Sequence, residues 1–266
     1  MQSPVPDPVF AVAGQDLPSW PRAVGLAEEL SLQLLDARSG DWRGLPSTGV
    51  VLVSEGGLAL GLTGRGSPLP VAVDFCSGTL LHRLRGIGPR REDLARAVGL
   101  PAPRRLHVID ATAGWGTDSA VLAALGCEVT MIERHPVVAA LLADGLARAA
   151  SSDAAVSLQF LQRLRLVHAD AADWLATAEP DVVLLDPMFP ERAKSAAVRK
   201  EMVLFQQLVG DDADASRLLA AALGVARHRV VVKRPAAAPP LEGRAADFCL
   251  KGRSTRFDVY ALRRIA

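Results

Sequence analysis

Apolar positions change their spacing part-way along the chain. From residue 106 onward, short apolar runs alternate with longer amphipathic stretches. The runs are LHVIDA (106–111), EVTMIE (128–133), LRLVHAD (164–170), DVVLLD (181–186) and RVVVKR (229–234). Their length and β-branched content mark them as strands. Helical spacing occupies 117–125, which ends at Gly126, then 136–150 and 211–226. The last two runs, 247–252 and 256–262, leave no room for a helix between them and must pair as a hairpin. Apolar strands separated by helices imply a parallel sheet covered on both faces, here with an antiparallel edge.

The first hundred residues follow another pattern. Four prolines make 1–20 an irregular lead-in, and Val24, Leu26, Leu30, Leu34 and Leu35 predict one helix over 21–38. Residues 50–64 read as a hairpin around Gly56-Gly57, 71–75 as a further strand, and 92–99 as a helix closed by Gly99. Pro101 and Pro103 then mark a boundary. The expected division is a small N-terminal α+β region over 1–103, which positions substrate or binds RNA, and an α/β domain over 104–266.

Composition adds limits. The chain has 266 residues, 50% apolar and 22% charged, enough to build a sizeable core. Cys76, Cys127 and Cys249 are widely separated, so neither a zinc site nor a disulfide framework is expected, and no metal is implied. The start has no secretory pattern and no stretch of 18 uncharged apolar residues occurs, so a reduced, cytoplasmic setting without membrane insertion is expected. Charge is unevenly placed. Residues 1–105 carry 11 cations and 10 anions, 106–226 carry 9 and 16, and 227–266 carry 10 and 3. Within the first part, 83–105 holds seven arginines against Glu92 and Asp93. Basic segments thus flank an acidic middle. They fit either a polyanion or ordinary solvated surface.

Five strand–helix units and a closing hairpin outline the seven-stranded methyltransferase sheet. A dinucleotide-binding dehydrogenase would continue with parallel crossovers. The first strand runs into Asp110-Ala111-Thr112-Ala113-Gly114-Trp115-Gly116-Thr117-Asp118, and Glu133 ends the second strand. Ligands of such sheets bind at the carboxyl ends of strands, where Gly114 and Gly116 permit close approach to bare backbone. Glu133 is placed to accept from ribose hydroxyls. The third small residue of the pyrophosphate fingerprint is replaced by Ser119, and Asp118 would face the phosphates with an anion. Both changes favour a cofactor without phosphate, such as S-adenosyl-L-methionine. Asp118 also suits a helix N-terminus as a simple dipole partner, Glu133 a surface charge, and Asp170 either the adenine amine or a helix N-cap.

The fourth strand ends in Asp186-Pro187-Met188-Phe189-Pro190. This segment resembles the [D/N]-P-P-[Y/F] motif of methyltransferases acting on exocyclic base amines. Such an amine is a poor nucleophile, because its lone pair is delocalised into the ring. A carboxylate and a backbone carbonyl can accept its N–H bonds and aim the lone pair. Proline restricts that backbone, and an aromatic ring can stack on the base. A Pro-rich strand exit with Phe189 in the core is the plain alternative. Lys194, Arg199 and Lys200 follow, and Lys233 and Arg234 end the fifth strand on the same edge. Each can meet RNA phosphate or simply face solvent.

Segments 73–100, 108–149, 181–210, 229–241 and 251–260 together resemble the RsmJ-type bacterial 16S rRNA guanine-N2 methyltransferases. The resemblance implies a class I S-adenosylmethionine-dependent fold, a Rossmann-like seven-stranded sheet with a terminal antiparallel hairpin, acting on small-subunit rRNA or the assembling 30S subunit. It implies cofactor contacts at Thr117-Asp118, Glu133-Arg134 and Asp170-Ala171, with Asp186 between cofactor and substrate. Asp110, Gly114 and Gly116 complete the expected cofactor set. Asp186, Pro187 and Phe189 form the catalytic set, and Arg83, Arg90, Arg91, Lys194, Arg199, Lys200, Lys233 and Arg234 the RNA-binding set. Thr117 stands where the family usually has arginine, and Asp170-Ala171 where it has serines. Two other readings compete: an exocyclic-amine methyltransferase on another RNA or DNA, and a non-catalytic RNA-binding module on the same fold.

Overall fold

The computed structural model describes residues 10–102, 105–152, 159–187, 215–241, 243–252 and 254–265. They fall into two compact units, one up to Val73 and the other from Asp74.

The N-terminal unit is a four-stranded sheet in the order β2-β1-β3-β4. Its strands are β1 (Phe10–Gly14), β2 (Gln33–Asp36), β3 (Gly49–Ser54) and β4 (Gly57–Leu62), with helix α1 (Trp20–Leu30) between the first two. β1 runs parallel to β2 and β3, and β4 returns antiparallel to β3 as the expected hairpin. Ala13, Ala37, Trp42, Val50 and Leu52 form one of its buried clusters.

Three local expectations fail here. β1 lies inside the proline-rich lead-in, where FAVAG is long enough to pair on both sides. The helix expected over 21–38 stops at Leu30. Ser31 turns left-handed at φ 53°, and the N–H groups of Ser31 and Leu32 close on the carbonyls of Glu28 and Ala27 at 3.1 and 2.9 Å. A serine does the work usually given to glycine, so Leu34 and Leu35 pass into β2. The strand expected at 71–75 is reduced to a single bridge between Val71 and Leu60.

The second unit carries a seven-stranded sheet in the order β10-β11-β9-β8-β5-β6-β7. The strands are β5 (His107–Asp110), β6 (Glu128–Glu133), β7 (Leu164–His168), β8 (Val182–Leu185), β9 (Arg229–Pro235), β10 (Phe248–Lys251) and β11 (Thr255–Ala261). β5 to β9 pair in parallel, and β11 joins β9 and β10 antiparallel. The helices are α2 (Gly78–Leu84), α3 (Asp93–Val98), α4 (Thr117–Ala124), α5 (Pro136–Ala150), α6 (Ala171–Leu175) and α7 (Ala215–Val225). Ile109, Ile132, Val183, Leu185, Val230, Val232 and Tyr260 fill one face of the core. Burial on both faces explains why these strands read as unbroken apolar runs.

α2 and α3 belong to this second unit, whereas the sequence places its boundary at 103/104. Arg229 ties α3 to the sheet: its guanidinium donates to the Ala97 carbonyl at 3.0 Å, at the helix C-terminus. At the amino edge of the sheet, Asp181 precedes β8 and is buried. Its carboxylate accepts from His107 N–H at 2.9 Å, and its carbonyl accepts from His228 N–H at 2.9 Å. One side chain and its own backbone thereby join the starts of β5, β8 and β9.

Candidate active site

β5 has β6 on one side and β8 on the other. The chain leaves β5 in one direction and returns in the other, which opens a crevice at the carboxyl ends of β5 and β8. The expected site residues of the first, second and fourth strands converge there.

The turn after β5 is organised by Asp110, which is 3% exposed. Ser119 Oγ donates to its Oδ2 at 2.6 Å and Thr112 N–H to its Oδ1 at 3.3 Å. Burial pushes the Asp110 carboxyl up to about 7; the Ser119 hydroxyl opposes the shift, and Asp118 and Asp186 add to it. Gly116 sits at φ 70° and starts α4. A Cβ there would stand 3.0 Å from both Phe75 Cζ and Leu142 Cδ2, so shape and backbone angle both require glycine.

Glu133 ends β6, is 5% exposed, and reaches back to the same turn. Its Oε2 accepts from Gly114 N–H at 3.1 Å and its Oε1 from His135 N–H at 2.8 Å. This is a built carboxylate and not a surface charge. Arg134 and Thr117 are exposed. Asp170 caps α6 by accepting from Ala172 and Asp173 N–H at 2.8 and 3.3 Å, and also pairs with Arg217 at 2.9 Å. Ala171 is buried behind it.

Asp186 follows β8 directly. Its N–H donates to Thr112 Oγ1 at 2.6 Å, locking the end of β8 to the turn after β5. Pro187 beside it is buried. Lys233 reaches over from β9 and places Nζ 2.7 Å from Asp118 Oδ2 and 2.8 Å from Asp186 Oδ2. Burial pulls the ammonium down, but Asp186 and Asp118 more than offset this and hold it above the usual lysine range. Arg83 extends the chain of charge, 3.5 Å from Asp118 and 2.9 Å from Glu92.

The expected RNA-binding set divides. Arg90 and Arg91 are exposed, and Arg83 is exposed while paired with its acids. Lys233 is turned inward to the two aspartates. Arg234 is 2% exposed, so the phosphate role expected of it does not hold: a buried guanidinium cannot reach a polyanion. Phe189, Lys194, Arg199 and Lys200 lie outside the described residues. Three contributors escape the motif reading. Thr112 and Ser119 are small polar residues of a kind found in any turn. The Lys233 bridge was signalled only by an acidic surplus, Asp110, Asp118 and Asp186, converging on one edge.

Among known proteins, the family model described as "Putative SAM-dependent methyltransferase" matches residues 45–262. A relative from Thioalkalivibrio sulfidiphilus, named Ribosomal RNA small subunit methyltransferase J, is 53% identical over 90% of this chain and 92% of its own. The chain belongs to this methyltransferase J family. A second member, from Marinobacter nauticus, is 46% identical over 96% of this chain and 92% of its own. A crystal structure of a SAM-dependent methyltransferase from Neisseria gonorrhoeae superposes with a TM-score of 0.71 at 32% identity, covering 94% of this chain and 96% of that one.

Family membership makes the protein a methyltransferase with a class I fold that uses S-adenosylmethionine. The residues present fit that cofactor. A glycine turn and a buried carboxylate meet at the carboxyl ends of β5 and β6, and three aspartates surround them. That acidic setting suits a sulfonium cation and opposes a pyrophosphate. Among the described residues no helix is long and apolar enough to cross a membrane, and no group of three or more His, Cys, Asp or Glu could hold a metal ion.

Proposed function

We propose that the protein methylates the exocyclic N2 of a guanine in small-subunit rRNA, as naked RNA or within the assembling 30S subunit, in the cytoplasm. The observation that carries the reading is Asp186-Pro187 at the carboxyl end of β8, locked by Thr112 to the cofactor turn. The relatives' name, Ribosomal RNA small subunit methyltransferase J, supports the substrate class.

Cofactor contacts are assigned to Gly114, Gly116, Thr117, Asp118, Glu133, Arg134, Asp170 and Ala171, with Asp110 acting through the turn it organises. Glu133 takes the ribose hydroxyls. The bound cofactor supplies an electrophilic methyl carbon on a sulfonium. Asp186 accepts an N–H of the guanine amine and draws its lone pair out of conjugation with the ring. Transfer of that methyl group to the amine would leave the sulfur neutral, and the displaced amine proton would go to Asp186 or to water. Phe189 stacks on the base, and the Pro187 ring limits the backbone so that the amine is held for in-line attack. Arg83, Arg90 and Arg91, together with Lys194, Arg199 and Lys200, meet RNA phosphates.

The test is single-turnover methylation by Asp186→Ala at saturating cofactor and RNA, with binding of each measured in parallel. Removing one preorganised electrostatic contact lowers rate by roughly a hundred- to a thousand-fold. A wild-type rate in that variant removes Asp186 from the chemistry. Mass-spectrometric mapping of small-subunit rRNA from a deletion strain checks the target base.

A further inference from the structure

We propose that Lys233 is a positioning residue that aims and ionises Asp186, and that it does not contact RNA. This rests on the role given to Asp186 above. The geometry supports it in three ways. Lys233 Nζ bridges Asp118 Oδ2 at 2.7 Å and Asp186 Oδ2 at 2.8 Å, both within charge-assisted hydrogen-bond distance. Its side chain is 27% exposed, and its ammonium is turned to the acids. Asp186 is held at a second point, because its N–H donates to Thr112 Oγ1 at 2.6 Å. Backbone and carboxylate are therefore anchored from different strands, Thr112 after β5 and Lys233 on β9.

The charges facing Asp186 explain why an anchor is needed. Asp118 comes from α4 and Asp110 from β5, and both repel a carboxylate. Arg83 from α2 pairs with Asp118 through the other carboxylate oxygen, Oδ1, at 3.5 Å. Lys233 from β9 meets Asp186 directly, with Nζ 2.8 Å from Oδ2. Without it, three carboxylates share one crevice, and like charges push at least one towards protonation. A protonated Asp186 is a poorer acceptor for the amine. Lys233 keeps it ionised and limits its rotation.

The test uses the full-length protein. The Asp186 carboxyl titration is followed by carbon-13 NMR without substrate, with Asp186→Asn assigning the signal. Lys233→Met is expected to move the titration up in pH. Asp118→Asn is expected to move it down, since one repelling anion is gone and Lys233 is left to Asp186. Lys233→Arg restores a cation and brings the value back towards wild type. These shifts need no RNA, so they stand apart from the choice of substrate.

Methylation is then measured in single turnover across pH with saturating cofactor. Lys233→Met is expected to slow it on the order of a hundredfold, the scale for a misaligned reacting group, and to move the acid limb upward. RNA affinity and its salt dependence stay at wild-type values. An Asp186 titration that is the same in all variants overturns the proposal. So does a Lys233→Met variant with a normal saturated rate and a salt slope smaller by about 0.7–0.9, which is the signature of one phosphate left without its cation. A wild-type protein that methylates no rRNA guanine, yet shows the opposed NMR shifts, refutes the substrate reading and leaves the Lys233 anchor supported.

Discussion

Glu133→Gln separates cofactor recognition from loop anchoring better than truncation does. The native carboxylate accepts Gly114 N–H at 3.1 Å and His135 N–H at 2.8 Å, one on each oxygen. Alanine would strip both acceptors from a residue that is 5% exposed, and stability would fall with affinity. Glutamine keeps the shape but has one acceptor oxygen. Its amide nitrogen must face one of the two N–H groups, donor against donor. Losing one hydrogen bond to a charged group costs about 1.5–3 kcal/mol. If that cost falls on the fold, the melting temperature drops by about 3–12 °C at the 2–4 °C per kcal/mol of a chain this size. If it falls on the ribose contact, affinity for S-adenosylmethionine drops roughly ten- to a hundred-fold. Calorimetric titration with the cofactor and a thermal melt of the same sample distinguish the two. A melt lowered with affinity unchanged would falsify the ribose assignment and leave Glu133 as a tie between β6 and the Gly114 turn.

Four further outcomes are expected. Stability should fall as pH rises from about 4 to about 7: Asp110 binds its proton more tightly folded than unfolded, so its contribution is full below its unfolded value and is lost as pH climbs to about 7. Melting curves of Asp110→Asn should lack that component, and an unchanged pH slope would contradict it. Gly116→Ala should cost about 1–2 kcal/mol from its left-handed backbone, with more from the crowding against Phe75 and Leu142, seen as a lower melting temperature. Neutralising Arg90 and Arg91 should lower RNA affinity and reduce the salt slope by about 0.7–0.9 for each phosphate no longer neutralised; identical slopes would make those arginines plain surface. Phe189→Ala should lose about 1–3 kcal/mol of base stacking while Phe189→Tyr keeps most activity, measured as RNA affinity and single-turnover rate.

The second unit was the easier to read from sequence. Its central strands β5, β6 and β8 are buried, so they stand out as short apolar runs. EVTMIE and the helix over 136–150 coincide with β6 and α5. The N-terminal unit was harder for local reasons. Ser31 breaks a leucine pattern that continues smoothly from α1 into β2, and prolines disguise β1. The geometry of the candidate site was legible where residues stand in motifs, as at Gly114, Glu133 and Asp186, which lie at the carboxyl ends of neighbouring strands. It was not legible where pairing is made in space. Lys233 and Arg234 look alike in RVVVKR, yet strand alternation sends one to the acidic crevice and buries the other on the opposite face.

β8 carries an aspartate at each end, and the two answer to different kinds of loss. Asp181 splices the starts of three strands, far along the strand from any reacting atom. Asp186 stands at the open end, held by a hydroxyl and an ammonium. In a screen for methylation activity in cells, alanine at either position would score as an equally inactive allele. The causes would differ in kind: too few molecules in one case, idle molecules in the other. Cooling the culture or adding gene copies should rescue the first and not the second. A substitution map of this chain therefore sorts by which edge of the sheet a residue occupies more than by how severe its phenotype is.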